Sequence, residues 1–215
     1  MKKDKPNKVT PSQEESTVRV YKNPILHALS KNHIAVPLSV FYGGGLVLLI
    51  YSLVKLPLSI FETIGYFFVG LILFTLVEYL VHRFLYHLPS VYEEGGAAYA
   101  FHGIHHKFPK DKKRLVMPPI VSVIIASLLL YLNHLMMGNI AFSFTGGFLF
   151  GYAAYLSVHY IVHRYKPPKN FLKELWIHHS IHHYQEDDKA FGVSSPLWDY
   201  VFGTMPRKKR KSPTN

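Results

Sequence analysis

At 215 residues the chain has room for one domain. It contains no cysteine, which excludes disulfides, iron–sulfur clusters, zinc ribbons and haem-thiolate ligation. A net charge of +11 calls for an anionic partner, and beside long apolar runs that partner is the lipid headgroup layer rather than nucleic acid, even for the basic cluster Arg207–Lys211.

Hydrophobic residues make up 49%, an ordinary share for a soluble protein, so their distribution decides the class. Met1–His33 is polar and reads as a retained cytosolic arm, because a cleaved signal needs its apolar segment within roughly the first 15–30 residues. Ile34–Val54 carries no charge, and Thr63–Val81 is interrupted only by Glu78. Pro118–Val158 carries no charge either, and Asn133, His134, Gly138 and Asn139 near its centre divide it into two runs joined by a tight turn. Crossing a bilayer takes about 20 residues of helix, so transmembrane helices are predicted over roughly 36–54, 60–81, 118–136 and 140–160. Of the 24 Lys and Arg residues all but Lys55 fall in the arm, in 82–117 or in 159–215. The positive-inside rule makes that side, with both termini, cytoplasmic. The expected architecture is all-α and membrane-integral: four transmembrane helices capped by a cytosolic, helical, histidine-rich dimetal domain. The arm covers 1–33, the membrane unit with its cap 34–205, and a basic tail 206–215.

Ten of the 14 histidines stand in four clusters. His82 and His87 end the second span. His102, His105 and His106 precede the third. His159 and His163 end the fourth, and His179, His182 and His183 follow it, with His178 beside them. Two spans separate the second cluster from the third, so the chain crosses, returns, and leaves all four clusters on one side. Residues three or four apart share a helix face, so 102/105/106, 159/163 and 179/182/183 are each expected to aim one way. His82 and His87 are five apart, about 140° around a regular helix. They converge only where the helix unwinds, which Pro89 favours, or else they reach the metals from different sides. As free imidazoles the ten would repel one another on protonation. His27, His33 and His134 read as interfacial residues.

An all-imidazole set suits zinc, copper, iron or nickel. Ten ligands exceed what one ion holds, so two ions with about five nitrogens each is the natural division, whereas a structural zinc site closes with four. A hydrolytic zinc helix of the H-E-x-x-H kind is absent.

The order H-x4-H, H-x2-H-H, H-x3-H, H-x2-H-H resembles the fatty acid hydroxylase superfamily, which also holds sterol oxidases and carotenoid hydroxylases. Within it the chain most resembles fatty acid 2-hydroxylases. The matching stretches are Glu78–His87, His102–Lys107, Arg114–Pro119, Phe191–Ser195 and Leu197–Tyr200, within residues 70–205. The resemblance implies two irons held by the ten histidines, with zinc an alternative occupant of purified protein. It implies dioxygen as co-substrate and a hydroxyl placed beside the carboxyl or amide carbon of a long acyl chain, as in 2-hydroxyacyl sphingolipids. Tyr155, the tyrosine just before the third cluster, is the catalytic candidate. The chain departs from the pattern at Leu156, where the 2-hydroxylases carry an Asp that could orient the acyl head. Residues 1–33 are also too short and polar for the b-type cytochrome domain that many eukaryotic members carry.

Glu78 lies one turn before His82 and is expected to accept the free N–H of a ligand histidine, fixing its tautomer. Asp199 and His178 are candidates for a similar supporting role, and Glu186, Asp187 and Asp188 read as a solvated turn. Glycines 43–45, 146, 147 and 151 allow close helix packing, or smooth a groove for an acyl chain. Hydroxylation consumes two electrons, so a b-type cytochrome or a ferredoxin with its reductase is expected to act in trans at the basic face. Competing readings are a carotenoid ring hydroxylase, a sterol or aldehyde oxygenase and a metal transporter. A transporter would place its ligands near the bilayer midplane rather than at one surface.

Overall fold

The computed structural model describes residues 33–87, 99–111 and 119–207, and every regular element among them is a helix. Most of the arm, Pro89, Arg114–Pro118 and most of the basic tail lie outside the described residues. Helix α1 covers Ala35–Lys55. Helix α2 (Ile60–Leu80) opens on a reciprocal cap, in which Ser59 Oγ accepts the Glu62 amide at 3.2 Å and Glu62 Oε2 accepts the Ser59 amide at 2.7 Å. It continues without a break into a π-helical turn, Val81–Tyr86. A second π-helical turn, Tyr99–Gly103, leads into the short α3 (Ile104–Lys107). Helices α4 (Pro119–Met137) and α5 (Ile140–Arg164) meet at Gly138-Asn139, where Gly138 takes φ +61°, a conformation that favours glycine. Helices α6 (Lys173–Tyr184) and α7 (Leu197–Val201) complete the order.

α1, α2 with its π turn, and α5 are each long and apolar enough to cross a membrane. Their exposed side chains include Val47, Val54, Phe61, Phe68 and Ile72, an outward apolar surface that lipid would cover. α4, expected as the remaining span, is a 19-residue helix that carries no charged residue. The tight turn lays it back along α5.

α5 is the central helix, packed against α1, α2 and α4. Glycines set its spacing. A Cβ at Gly147 would stand 1.8 Å from the Phe67 carbonyl oxygen, and one at Gly70 1.9 Å from that of Phe144, so α2 and α5 meet backbone to backbone. Gly45 and Gly146 do the same between α1 and α5, and the Phe74 ring covers Gly151. These glycines therefore serve packing; Gly43 has open space beside it. Leu156 is buried with Ile34, Phe41, Leu149 and Ala153 where α1 meets α5.

Candidate metal centre

The ten clustered histidines meet at one end of the helices and divide into two groups of five. His82, His87, His102, His106 and His182 form the first; His105, His159, His163, His179 and His183 form the second. Within each group the nitrogens lie within 4.8 Å of one another.

Two local geometries produce this division. The turn Val81–Tyr86 is π-helical, and i→i+5 bonding brings residues five apart toward one side. The rings of His82 and His87 accordingly stand 5.1 Å apart. The second geometry is ordinary α-helix. Residues four apart differ by about 40° and adjacent residues by about 100°, so a His-His pair cannot aim one way. His102 and His106 join the first group and His105 the second, while His179 and His183 join the second and His182 the first. The sets 102/105/106 and 179/182/183, expected to share a target, are instead each split between the two groups. The His106 and His183 rings, one from each group, stack at 4.3 Å.

The nitrogens suit a metal better than they suit one another. A metal with bonds of about 2.0–2.1 Å at right angles sets neighbouring nitrogens roughly 2.9 Å apart. The Nε2 atoms of His82 and His102 are 3.1 Å apart, those of His102 and His106 2.9 Å, of His105 and His159 2.9 Å, and of His163 and His179 2.8 Å. His82 Nδ1 donates to the Phe191 carbonyl at 2.5 Å and His182 Nδ1 to the Lys189 carbonyl at 2.7 Å. Each of these neutral rings therefore has only a lone pair at Nε2, and the His182 lone pair is buried without a partner, as is His87 Nε2. Burial, reinforced by neighbouring imidazoles, holds His102, His105, His106, His179, His182 and His183 well below the usual histidine range, and pushes His87 down to about 2. They are neutral, the form that binds metal.

One segment, residues 189–204, supports the first group. Glu78 does not reach a histidine. Its Oε1 accepts the amides of Val193 at 2.8 Å and Ser194 at 2.9 Å, and its Oε2 accepts the Ser194 hydroxyl. It thus fixes the strand of chain whose Phe191 carbonyl orients His82. Asp199 is fully buried and accepts from Phe191 N at 3.0 Å, Gly192 N at 2.8 Å, Thr204 Oγ1 at 2.6 Å and His178 Nε2 at 2.9 Å. Burial works against its charge, yet these hydrogen bonds hold its carboxyl below the usual range. His178 belongs to neither histidine group and braces Asp199 instead. Ala190 sits between the two carbonyl acceptors at φ 57°, a left-handed conformation that costs a non-glycine residue about 1 kcal/mol or more and that recurs at functional sites.

An apolar cavity reaches the first group from the membrane side. Phe41, Phe74, Leu129, Phe148 and Leu149 line it, and Glu78, His82, Tyr86 and Tyr155 stand at its histidine end. Tyr155 stacks on His159 (5.4 Å, 22°) and Tyr86 on His102 (4.8 Å, 19°), one tyrosine for each histidine group. Tyr86, Ala190 and the Phe191 and Lys189 carbonyls carry no sequence signal of their own. Only the π turn and the return of the chain from α6 place them here. Leu156 packs toward α1 rather than lining the cavity.

Buried imidazoles in two groups, at the end of helices long and apolar enough to span a bilayer, define a metal-binding membrane protein. The sequence model of the fatty acid hydroxylase family matches residues 67–204, and the chain belongs to that family. It is 42% identical over 139 residues to dihydroceramide fatty acyl 2-hydroxylase FAH2 of Arabidopsis thaliana, covering 64% of this chain and 59% of that protein. It is 39% identical over 160 residues to fatty acid 2-hydroxylase of Rattus norvegicus, covering 72% of this chain and 42% of that protein. The chain therefore spans about half the length of these relatives. A solved structure of full-length scs7p, in which only the hydroxylase domain is visible, superposes with a TM-score of 0.76 at 33% identity, over 87% of this chain and 71% of that one.

Proposed function

We propose that the chain is a di-iron, dioxygen-dependent hydroxylase that converts the C2 methylene of a long acyl chain to a secondary alcohol. Dioxygen, two electrons and two protons are consumed and one water is released. The unit responsible is residues 34–205. The observation that carries this reading is the apolar cavity ending on His82, Tyr86 and Tyr155, since it leads a hydrocarbon from between the apolar helices to a histidine of the first group, where the Glu78 carboxylate is already held by the Val193 and Ser194 amides. The 2-hydroxylase names of the relatives supply the position on the chain.

Iron at the two five-histidine groups would supply dioxygen activation and attack on an unactivated C–H bond. The protein's own residues do the rest. Phe74, Phe148 and Leu129 hold the acyl chain and exclude water. Tyr86 and Tyr155 flank the cavity's end and limit how the last carbons approach. Phe191 and Lys189 fix the Nδ1–H tautomer of His82 and His182, leaving the Nε2 lone pair as the atom that would hold a metal. The histidine end faces the cytoplasm by the charge asymmetry, and there a b-type cytochrome or ferredoxin system delivers electrons in trans. The test is the lipid content of a host expressing wild-type or His105→Ala protein. 2-Hydroxyacyl lipids present with wild type and lost in the variant support the reading. Hydroxylated carotenoids or sterols in their place overturn the substrate assignment.

A further inference from the structure

α7 is five residues long and follows a loop that would ordinarily lie in water, yet its outer surface is apolar. Tyr200 is 67% exposed, Val201 60%, Leu197 51% and Phe202 45%. Its inner surface is tied to α2, a membrane-spanning helix. Trp198 Nε1 donates to Thr75 Oγ1 at 2.9 Å, the Phe202 ring stacks on Tyr79 at 5.1 Å, and Tyr79 OH pairs with Thr204 Oγ1 at 2.8 Å. These bonds set a depth. The charged residues of α2 and its π turn nearest each surface are Glu62 and Arg83, 21 positions or roughly 32 Å apart, which matches the hydrocarbon thickness. Thr75 and Tyr79 lie about 12 Å and about 6 Å inside the Arg83 level. A helix fastened there lies in the outer part of the acyl layer just beneath the headgroups, the depth at which interfacial helices bury their apolar faces. Phe68 and Ile72, seven and three positions before Thr75 and so on the same face of α2, are exposed and apolar as well. The basic run Arg207–Lys211 follows within six residues and complements anionic headgroups.

We infer that α7 with Phe202 is an interfacial anchor sunk into the leaflet on the histidine side, and that its partner is the bilayer. The inference rests on α2 spanning the membrane and not on the reaction catalysed. Its consequence reaches the site, because α7 carries Asp199, which holds the amides of Phe191 and Gly192. Membrane contact therefore steadies the segment that orients His82.

The chain has no cysteine, so single-cysteine variants report cleanly. Tyr200→Cys, Val201→Cys and, as an aqueous control at the exposed start of α6, Glu174→Cys are placed in liposomes of phosphatidylcholine and phosphatidylglycerol. A membrane-impermeant maleimide should label positions 200 and 201 at least about tenfold more slowly than 174. A nitroxide at 201 should be more accessible to oxygen than to a water-soluble nickel chelate. Equal labelling rates would place α7 in water and overturn the inference. Protection from both oxygen and nickel, with disulfide-linked dimers at 201, would overturn it in favour of a second copy of the chain. Should the cysteine variants misfold, Trp176→Phe leaves Trp198 as the sole indole. Brominated acyl chains should then quench it more strongly than iodide does, and the reverse order overturns the inference.

Discussion

Replacing Glu78 with alanine removes three hydrogen bonds at once, from the Val193 amide, the Ser194 amide and the Ser194 hydroxyl. Each buried amide left unpaired costs about 1–3 kcal/mol, so the segment loses roughly 2–6 kcal/mol of anchorage. Two residues upstream is the Phe191 carbonyl that accepts from His82, and further back is the Lys189 carbonyl that accepts from His182. Both histidines belong to the first group. Losing such outer support typically weakens metal binding about 10–100-fold. The expected result is selective: under chelator competition the variant drops from two metals per chain to one, while Glu78→Gln, which keeps an oxygen for the two amides, stays close to wild type. Mass spectrometric metal counting on purified protein, dialysed against graded chelator, measures this. Simultaneous loss of both metals, retention of both, or an equal defect in Glu78→Gln would refute the chain of support drawn from Glu78 to His82.

Other outcomes follow from the same geometry. His182→Ala and His183→Ala, although adjacent, should each remove a different metal and leave about one per chain, and spectra of the two single-metal proteins should differ. Ala126→Phe, in the wall of the cavity, should shorten the acyl chains recovered as product without lowering metal content, as read by lipid mass spectrometry. Metal-free protein should lose stability on acidification. The folded histidines titrate well below their unfolded value of about 6.5, so the unfolded state binds more protons below that pH. The contribution is complete above about pH 6.5 and falls away beneath it. A thermal midpoint that rose between about pH 6.5 and 5 would contradict the sign.

The charge-free runs locate α1, α2, α4 and α5 to within a few residues, because a helix in lipid leaves no alternative for apolar stretches of that length. The ten histidines were equally legible, since their number and spacing serve no packing purpose. What escaped was set by contacts distant in sequence or by backbone detail. The π turn at Val81–Tyr86 joins His82 to His87 and has no compositional mark. The split of each His-His pair follows from helix geometry, but which half meets which group depends on how α3 and α6 face each other. Proximity along α2 predicts His82 as the partner of Glu78, whereas its carboxylate is bonded to amides more than 110 positions away, which no local spacing shows. Tyr86 reads as one aromatic among 15 tyrosines until the cavity brings it into the same wall as Tyr155.

The most direct measurement is a single turnover of iron-loaded protein in lipid nanodiscs, with chemical reduction, 18O-labelled dioxygen and an acyl substrate deuterated at C2. The account predicts product with one 18O at C2 and one deuterium lost there, and none from protein carrying His105→Ala. Label at any other carbon, oxygen derived from water, or turnover that survives the loss of His105 would contradict it.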